Sequence, residues 1–272
     1  MSTVKSEFHS HLDSILEKRG PLCVGLDPDM ELLPSGYSSN IQGLEEHMLD
    51  VVDATSDVAA AYKINTAFFE AFGAAGWNAI ERLVTAIRKN SPALIIADAK
   101  RGDLQNTARF YARTFFDTFD FDAVTLQPYM GYDSLEPFLE RTDRGSIVLC
   151  LTSNRGSEDF QHHGNPPLFL EVARRCADWS RNNVMLVVGA TRNPDDMRRI
   201  RDVAPGLPFL VPGIGKQGGD LETVLNICGR RLLLNSSRGI SAASADRSTL
   251  KEAARAEASR LARAVGDFFD KR

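Results

Sequence analysis

The stretch Leu94–Ala108 reads LIIADAKRGDLQNTA, a short apolar run that passes straight into charges of alternating sign. If Leu94 to Lys100 forms a strand, its period of two puts Ile96, Asp98 and Lys100 on one face, so a carboxylate and an ammonium project together. Gly102 lets the chain turn and Asp103 follows directly. Three charges at the end of an apolar strand are unfavourable unless they pair or take part in chemistry. On this stretch alone, a solvated strand end with one weak ion pair is the simpler reading. Its surroundings decide between the two.

On either side, the same pattern of apolar strand followed by amphipathic helix recurs. Helical spacing in His11 to Lys18 leads into a strand candidate, Pro21 to Asp27, and a helix from Gln42 to Asp57. A second strand, Ala60 to Asn65, carries Lys63, and a helix from Ala67 to Lys89 brings the chain to strand three. After a helix from Asn106 to Phe119 come strand four, Ala123 to Pro128, a helix over Ser134 to Glu140, and strand five, Ser146 to Ser153. Asn154 to Pro167 reads as a polar loop, with His162 and His163 as loop residues rather than metal ligands. Leu168 to Asn182 is helical, Val184 to Ala190 is strand six and Asp195 to Val203 is a helix. Strand seven is Pro208 to Pro212, strand eight is Arg231 to Leu234, and the last helix spans Ser244 to Phe269.

Eight strands alternating with helices, several of them continuous apolar runs, predict a parallel sheet buried on both faces and closed into a (β/α)8 barrel. The alternative, a doubly wound open sheet, is weakened because no GxGxxG follows the first strand. In such a barrel the functional site lies at the C-terminal ends of the strands. Asp27, Lys63, Asp98, Lys100 and Ser153 all fall there, so they are expected to converge on one rim.

The last two strands add a second kind of signal. PGIGKQGGD, from Pro212 to Asp220, follows strand seven, and NSSRGI, from Asn235 to Ile240, follows strand eight. Small residues let backbone N–H groups approach an anion, and the loops after strands seven and eight are where this barrel usually binds phosphate. Pro212, Gln217, Gly219, Ser237 and Arg238 are therefore candidate phosphate-end residues, with Arg238 supplying a forked, permanently charged donor. Lys216 reads as a solvated charge.

Composition narrows the class. The 272 residues are 43% hydrophobic, enough for a full core, and no linker divides residues 1–272, which are expected to form a single domain. A formal charge of −4 without a long basic run argues against nucleic acid as a partner. Charges interrupt every apolar run before the roughly 18 residues that span a bilayer, and the first 20 residues lack a signal-peptide core, so no membrane is expected and the location is expected to be cytoplasmic. Cys23, Cys150, Cys176 and Cys228 are widely spaced and read as reduced core residues.

Taken together, these residues resemble the orotidine 5′-phosphate decarboxylase family over nearly the whole chain. The family pattern Asp-x-Lys-x-x-Asp appears as Asp98, Lys100 and Asp103, followed by Thr107, and Lys63 matches a catalytic lysine that precedes it. Asp27 in VGLDPD, Ser153 in LTSN, Gln217 in PGIGKQGG and Arg238 in NSSRG match the ligand-binding pattern. The YKINTAFFEAFG stretch and the longer chain resemble a bacterial subgroup with larger loops, while Leu104 and Gln105 depart from the usual Ile or Val followed by Gly or Pro. The resemblance implies decarboxylation of orotidine 5′-monophosphate to UMP, with no metal and no organic cofactor. It implies Lys100 as proton donor, flanked by Asp98, Asp103 and Lys63, with Asp27 near a ribose hydroxyl and Ser153 on the base. It also implies a homodimer in which Asp103 and Thr107 reach the partner's site.

Three rivals remain at this level. A magnesium-dependent sugar-phosphate decarboxylase or aldolase of the same barrel superfamily tends to carry an acidic residue where Lys63 stands. A Schiff-base aldolase would use Lys63 or Lys100 as nucleophile. A non-catalytic nucleotide-phosphate sensor would bind UMP without turnover.

Overall fold

The structure, a computed structural model, describes residues 7–190, 193–213 and 220–271. Among them, β1 (Leu22–Leu26), β2 (Ala61–Asn65), β3 (Leu94–Arg101) and β4 (Ala123–Leu126) pair side by side and in parallel. β5 (Gly145–Leu151), β6 (Val184–Val188), β7 (Phe209–Pro212) and β8 (Leu232–Ser236) continue the order, and β8 pairs with β1 to close the barrel. The helices are α1 (Phe8–Arg19), α2 (Ile41–Thr55), α3 (Thr66–Glu70), α4 (Ala74–Asn90), α5 (Gln105–Arg113) and α6 (Tyr132–Leu139). They continue as α7 (Ser157–Phe160), α8 (Leu168–Trp179), α9 (Pro194–Val203), α10 (Leu221–Cys228), α11 (Arg238–Ser241) and α12 (Arg247–Asp270). This is the expected (β/α)8 barrel.

The continuous apolar runs follow from burial on two sides. Residues of one parity, among them Cys23, Ala61, Ile96, Ala123, Ile147, Met185, Leu210 and Leu233, pack inside the barrel. Their neighbours of the other parity, such as Val24, Tyr62, Ile95, Val124 and Leu186, face the helices in a larger outer core. All four cysteines are buried and free, Cys23 in the inner core and the other three in the outer one.

The inner core is stopped at one end by α1. Phe8, Leu12 and Ile15 of this helix pack onto the inner residues of the strands. The His9 ring nitrogen Nε2 lies 2.8 Å from the Val184 carbonyl at the start of β6. Gly145, the first residue of β5, has no side chain because a Cβ there would sit 2.5 Å from the Phe8 ring. The N-terminal mouth is thus sealed by apolar packing, which leaves the C-terminal mouth to hold a ligand.

Several elements differ from the sequence expectation, each for a local reason. The helix expected over Ala67 to Lys89 is broken into α3 and α4, because Gly73 turns the chain at φ +58°. Gly76 then brings α4 against the Phe69 carbonyl, at a spot where a Cβ would lie 1.7 Å from that oxygen. The helix expected from Asn106 to Phe119 is α only to Arg113, and Thr114–Thr118 continue as a π turn. Within the expected loop Asn154 to Pro167, Ser157–Phe160 form the short α7. Between β7 and β8, where no helix is expected, α10 buries Val224, Leu225 and Cys228, whose spacing is the helical signal. Strand eight runs on to Ser236, and its pairs Cys23 with Asn235 and Val24 with Ser236 complete the closure.

Leu12→Ala removes a side chain with no solvent exposure from the plug. It is expected to lower the unfolding free energy by about 2–5 kcal/mol, measured by urea denaturation.

Candidate active site

The inward parity that fills the barrel with apolar side chains becomes polar near the C-terminal ends of the strands. Above Cys23 comes Gly25, above Ala61 comes Lys63, above Ile96 comes Asp98, and above Ala123 comes Thr125. Leu149, Val187 and Leu210 keep part of the floor apolar. These residues open into a cavity of about 680 Å³.

A row of alternating charges crosses the floor. Lys63 Nζ donates to Asp98 Oδ2 at 2.8 Å and lies 3.6 Å from Asp27 Oδ1. Asp98 Oδ1 accepts from Lys100 Nζ at 2.6 Å and from Thr125 Oγ1 at 3.0 Å. Lys63 is only 5% exposed, so burial alone would strip its charge; the Asp27 and Asp98 carboxylates outweigh that and raise its pKa instead. Burial likewise opposes the charge on Asp98, but Lys63 and Lys100 overcome it and lower its pKa to about 2. The floor therefore carries the order minus, plus, minus, plus from Asp27 to Lys100. Asp27 Oδ1 is buried, faces Lys63 and has no hydrogen-bond partner among the described residues, while the Asp27 side chain as a whole lines the cavity.

Lys100 reaches the cavity by an unusual backbone path. Its φ is +47°, a left-handed conformation that a long side chain seldom adopts. It sits in an irregular part of β3, between the pairs Ala97 with Val124 and Arg101 with Leu126. Just beyond, Arg101 is held by Glu70 and by the Tyr111 and Phe115 rings, with its guanidinium carbon 5.3 Å and 5.5 Å from their centroids.

One wall is made by the end of β5. Ser153 lines the cavity, and Gly189 after β6 allows its close approach, since a Cβ there would be 2.9 Å from Ser153 Cβ. Gln161 braces the preceding residue: its Oε1 accepts from Thr152 N at 2.8 Å and its Nε2 donates to Thr152 Oγ1 at 2.8 Å. Thr152 Oγ1 in turn donates to Asn154 Oδ1 at 2.6 Å.

The opposite wall is made by Pro212, Ser237 and Arg238. Gly25 of β1 is required here, because a Cβ would fall 1.8 Å from Ser237 Oγ. Asn235 Nδ2 donates to that oxygen at 3.2 Å. Arg238 begins α11, whose last residue is anchored by His47 of α2: His47 Nε2 lies 2.6 Å from the Ser241 carbonyl.

Of the twelve residues singled out from the sequence, eight line this cavity: Asp27, Lys63, Asp98, Lys100, Ser153, Pro212, Ser237 and Arg238. Gln217 and Gly219, with Lys216, lie outside the described residues. Asp103 and Thr107 are not on the cavity wall; Asp103 is partly exposed beyond the end of β3 and Thr107 is exposed on α5. Asn65, Thr125, Thr152, Asn154 and Asn235 also line it and are not among the twelve. For Asn65, Thr125 and Asn235 a signal exists, since each is a polar residue of inward parity on a strand. Thr152 and Asn154 flank Ser153 and carry no such periodic cue.

Comparison with known proteins agrees with this geometry. Residues 20–253 match the model of the orotidine 5′-phosphate decarboxylase / HUMPS family. The chain is 46% identical over 242 residues to the orotidine 5′-phosphate decarboxylase of Herpetosiphon aurantiacus, covering 87% of this chain and 89% of that protein. It is 41% identical over 266 residues to that of Christiangramia forsetii, covering 95% and 97%. The structure of Leishmania donovani OMP decarboxylase aligns with a TM-score of 0.83 at 38% identity, covering 97% of this chain and 98% of that one. Leishmania donovani UMP synthase aligns with a TM-score of 0.84 at 40% identity over 96% of this chain, which spans 56% of that longer protein. A barrel of this order, with this charged row at its C-terminal mouth and these relatives along most of its length, belongs to the orotidine 5′-phosphate decarboxylase / HUMPS family.

Proposed function

We propose that this protein is a decarboxylase that converts orotidine 5′-monophosphate to UMP and carbon dioxide, the last step of de novo UMP synthesis. The observation that carries this reading is the Asp98 carboxylate held between two ammonium groups on the cavity floor. Loss of the C6 carboxylate leaves an electron pair on carbon. Lys100 supplies both the stabilising positive charge and the proton that replaces carbon dioxide at C6. Asp98, kept ionised by Lys63 and Lys100, faces the substrate carboxylate and favours its departure.

The rest of the cavity binds and orients. Arg238, Ser237 and the backbone after Pro212 take the phosphate, with Gln217 and Gly219, which lie outside the described residues, assigned to that end from the sequence. Ser153 hydrogen-bonds the pyrimidine. Asp27, whose side chain lines the cavity and is 19% exposed, accepts from a ribose hydroxyl, and Lys63 lies beside it. Phosphate binding far from C6 then supplies energy that holds the reacting ring over Lys100. The scheme requires no metal ion or organic cofactor.

The working unit is a homodimer in which Asp103 and Thr107 complete the partner's site. Support comes from their position outside the cavity of their own chain and from the apolar residues beside them in the chain: Leu104 and Phe110 are 63% and 60% exposed. Among the described residues no helix is long and apolar enough to cross a membrane. The cytoplasm is the assigned location, a reducing compartment in which four buried free thiols persist.

With purified protein in excess EDTA, the absorbance of orotidine 5′-monophosphate is expected to fall rapidly, and Lys100→Ala to lower kcat/KM by at least about a thousandfold. Loss of activity in EDTA would favour the metal-dependent rival, and UMP binding without turnover in the wild type would favour the sensor. Mixing Lys100→Ala with Asp103→Ala subunits is expected to restore about a quarter of wild-type turnover after random exchange, because each heterodimer regains one intact site. Equilibrium unfolding tests the charge state of Asp98. Its folded pKa of about 2 lies below the ordinary 3.8, so its stabilisation is complete above 3.8 and is lost as pH falls toward 2. Between about pH 5 and about pH 2 the wild type is expected to lose about 2 kcal/mol more stability than Asp98→Asn.

A further inference from the structure

Three residues of β3 stand opposite one residue of β4. The pairing passes from Ala97 with Val124 to Arg101 with Leu126, so Asp98, Ala99 and Lys100 share Thr125 as their only counterpart. An insertion of this kind breaks the ladder and leaves backbone amides in need of other partners. For Lys100 that partner is a side chain: its N–H donates to Thr125 Oγ1 at 2.9 Å. The same hydroxyl donates to Asp98 Oδ1 at 3.0 Å.

The direction of this short chain is fixed. A hydroxyl has one proton, and an ionised carboxylate only accepts. The Thr125 proton therefore points at Asp98, and its lone pair receives the Lys100 amide. Thr125 is 1% exposed, so bulk water does not compete for either bond. Its β-branched side chain is stiff at χ1, which carries the rigidity of β4 into the two bonds. The Lys100 backbone that it holds is the left-handed one at φ +47°, a conformation that needs such a restraint.

We propose that Thr125 is a positioning residue for the decarboxylation, its hydroxyl locking the Lys100 backbone and the Asp98 carboxylate into one fixed arrangement. This inference rests on the reading given under Proposed function. The two bonds occupy the hydroxyl proton and one lone pair, so Thr125 has no donor left for substrate and acts through the two charged residues. Its loss leaves both lysine contacts of Asp98 in place, and therefore the charge of the site. What is lost is the placement of the ammonium relative to C6. The step affected is chemistry, because Ser153, Ser237 and Arg238, assigned to the remote parts of the nucleotide, lie beyond the ends of β5 and β8, away from β3 and β4.

The experiment compares full-length wild type, Thr125→Val and Thr125→Ser for kcat and KM with orotidine 5′-monophosphate, for UMP affinity and for thermal midpoint. Val keeps the shape and removes the hydroxyl; Ser keeps the hydroxyl. Thr125→Val is expected to lower kcat by about tenfold to a hundredfold while KM and the UMP Kd stay within about threefold, and Thr125→Ser to recover most of the loss. Placed in a Lys100→Ala background, Thr125→Val is expected to have a smaller further effect, since one of the two groups it positions is gone. The inference is overturned if Thr125→Val keeps kcat within about twofold of wild type, if Ser is impaired as much as Val, or if the Val effect is undiminished on Lys100→Ala. Should Thr125→Val fail to fold, Thr125→Ala against Thr125→Ser carries the same comparison. A wild type that binds UMP without decarboxylating overturns the functional reading and this inference together; an active wild type beside an equally active Thr125→Val overturns the positioning role alone.

Discussion

The carboxylate of Asp98 lies between two ammonium groups, 2.8 Å from Lys63 Nζ and 2.6 Å from Lys100 Nζ, at the top of an otherwise apolar barrel. Neither a buried carboxylate nor a buried ammonium is stable alone in such a place. Each exists because the others do: Lys63 keeps its charge against burial through Asp27 and Asp98, and Asp98 keeps its own through the two lysines. A cation on the cavity floor is thereby held in place before any ligand arrives, which is the electrostatic condition that the proposed reaction needs for stabilising charge that develops in a transition state.

The barrel supplies what this cluster needs. α1 closes the N-terminal mouth with Phe8, Leu12 and Ile15, so the polar layer faces one opening only. Closure of β8 onto β1 through Asn235 and Ser236 brings the Ser237 to Arg238 segment over Gly25, and His47 of α2 anchors the end of α11. Glycines at positions 25 and 189 are places where two strand ends approach more closely than a side chain permits. The binding walls are thus set by the packing of neighbouring strands, independently of the charged row.

Much of this is legible in the order of residues. The alternation of apolar strands and amphipathic helices is a local property, dictated by burial of strands on both faces and helices on one. Parity along a strand is also local, so spacing puts Lys63 and Asp98 on the same face of their strands as the apolar residues two positions before them, whereas Lys100 reaches the cavity through the irregular part of β3. Asn65, Thr125 and Asn235 carry the same parity signal more quietly, since an uncharged polar residue in a strand is ordinary. The break at Gly73 is harder to see, because it depends on a close contact between Gly76 and the Phe69 carbonyl as well as on glycine itself.

Periodicity and side-chain chemistry within single elements are enough to specify the eight-strand barrel, the inward layer of charges and the small-residue segments after strands seven and eight. Packing between elements is needed for the rest: that Asp98 accepts from Lys63, Lys100 and Thr125 at once, that Thr125 opposes three residues of β3, and that Asp103 and Thr107 stand away from the cavity of their own chain. These features depend on register between strands and on the path of the chain after the strand ends. A register is fixed by how neighbouring elements pack, and residues far apart in the chain set it together.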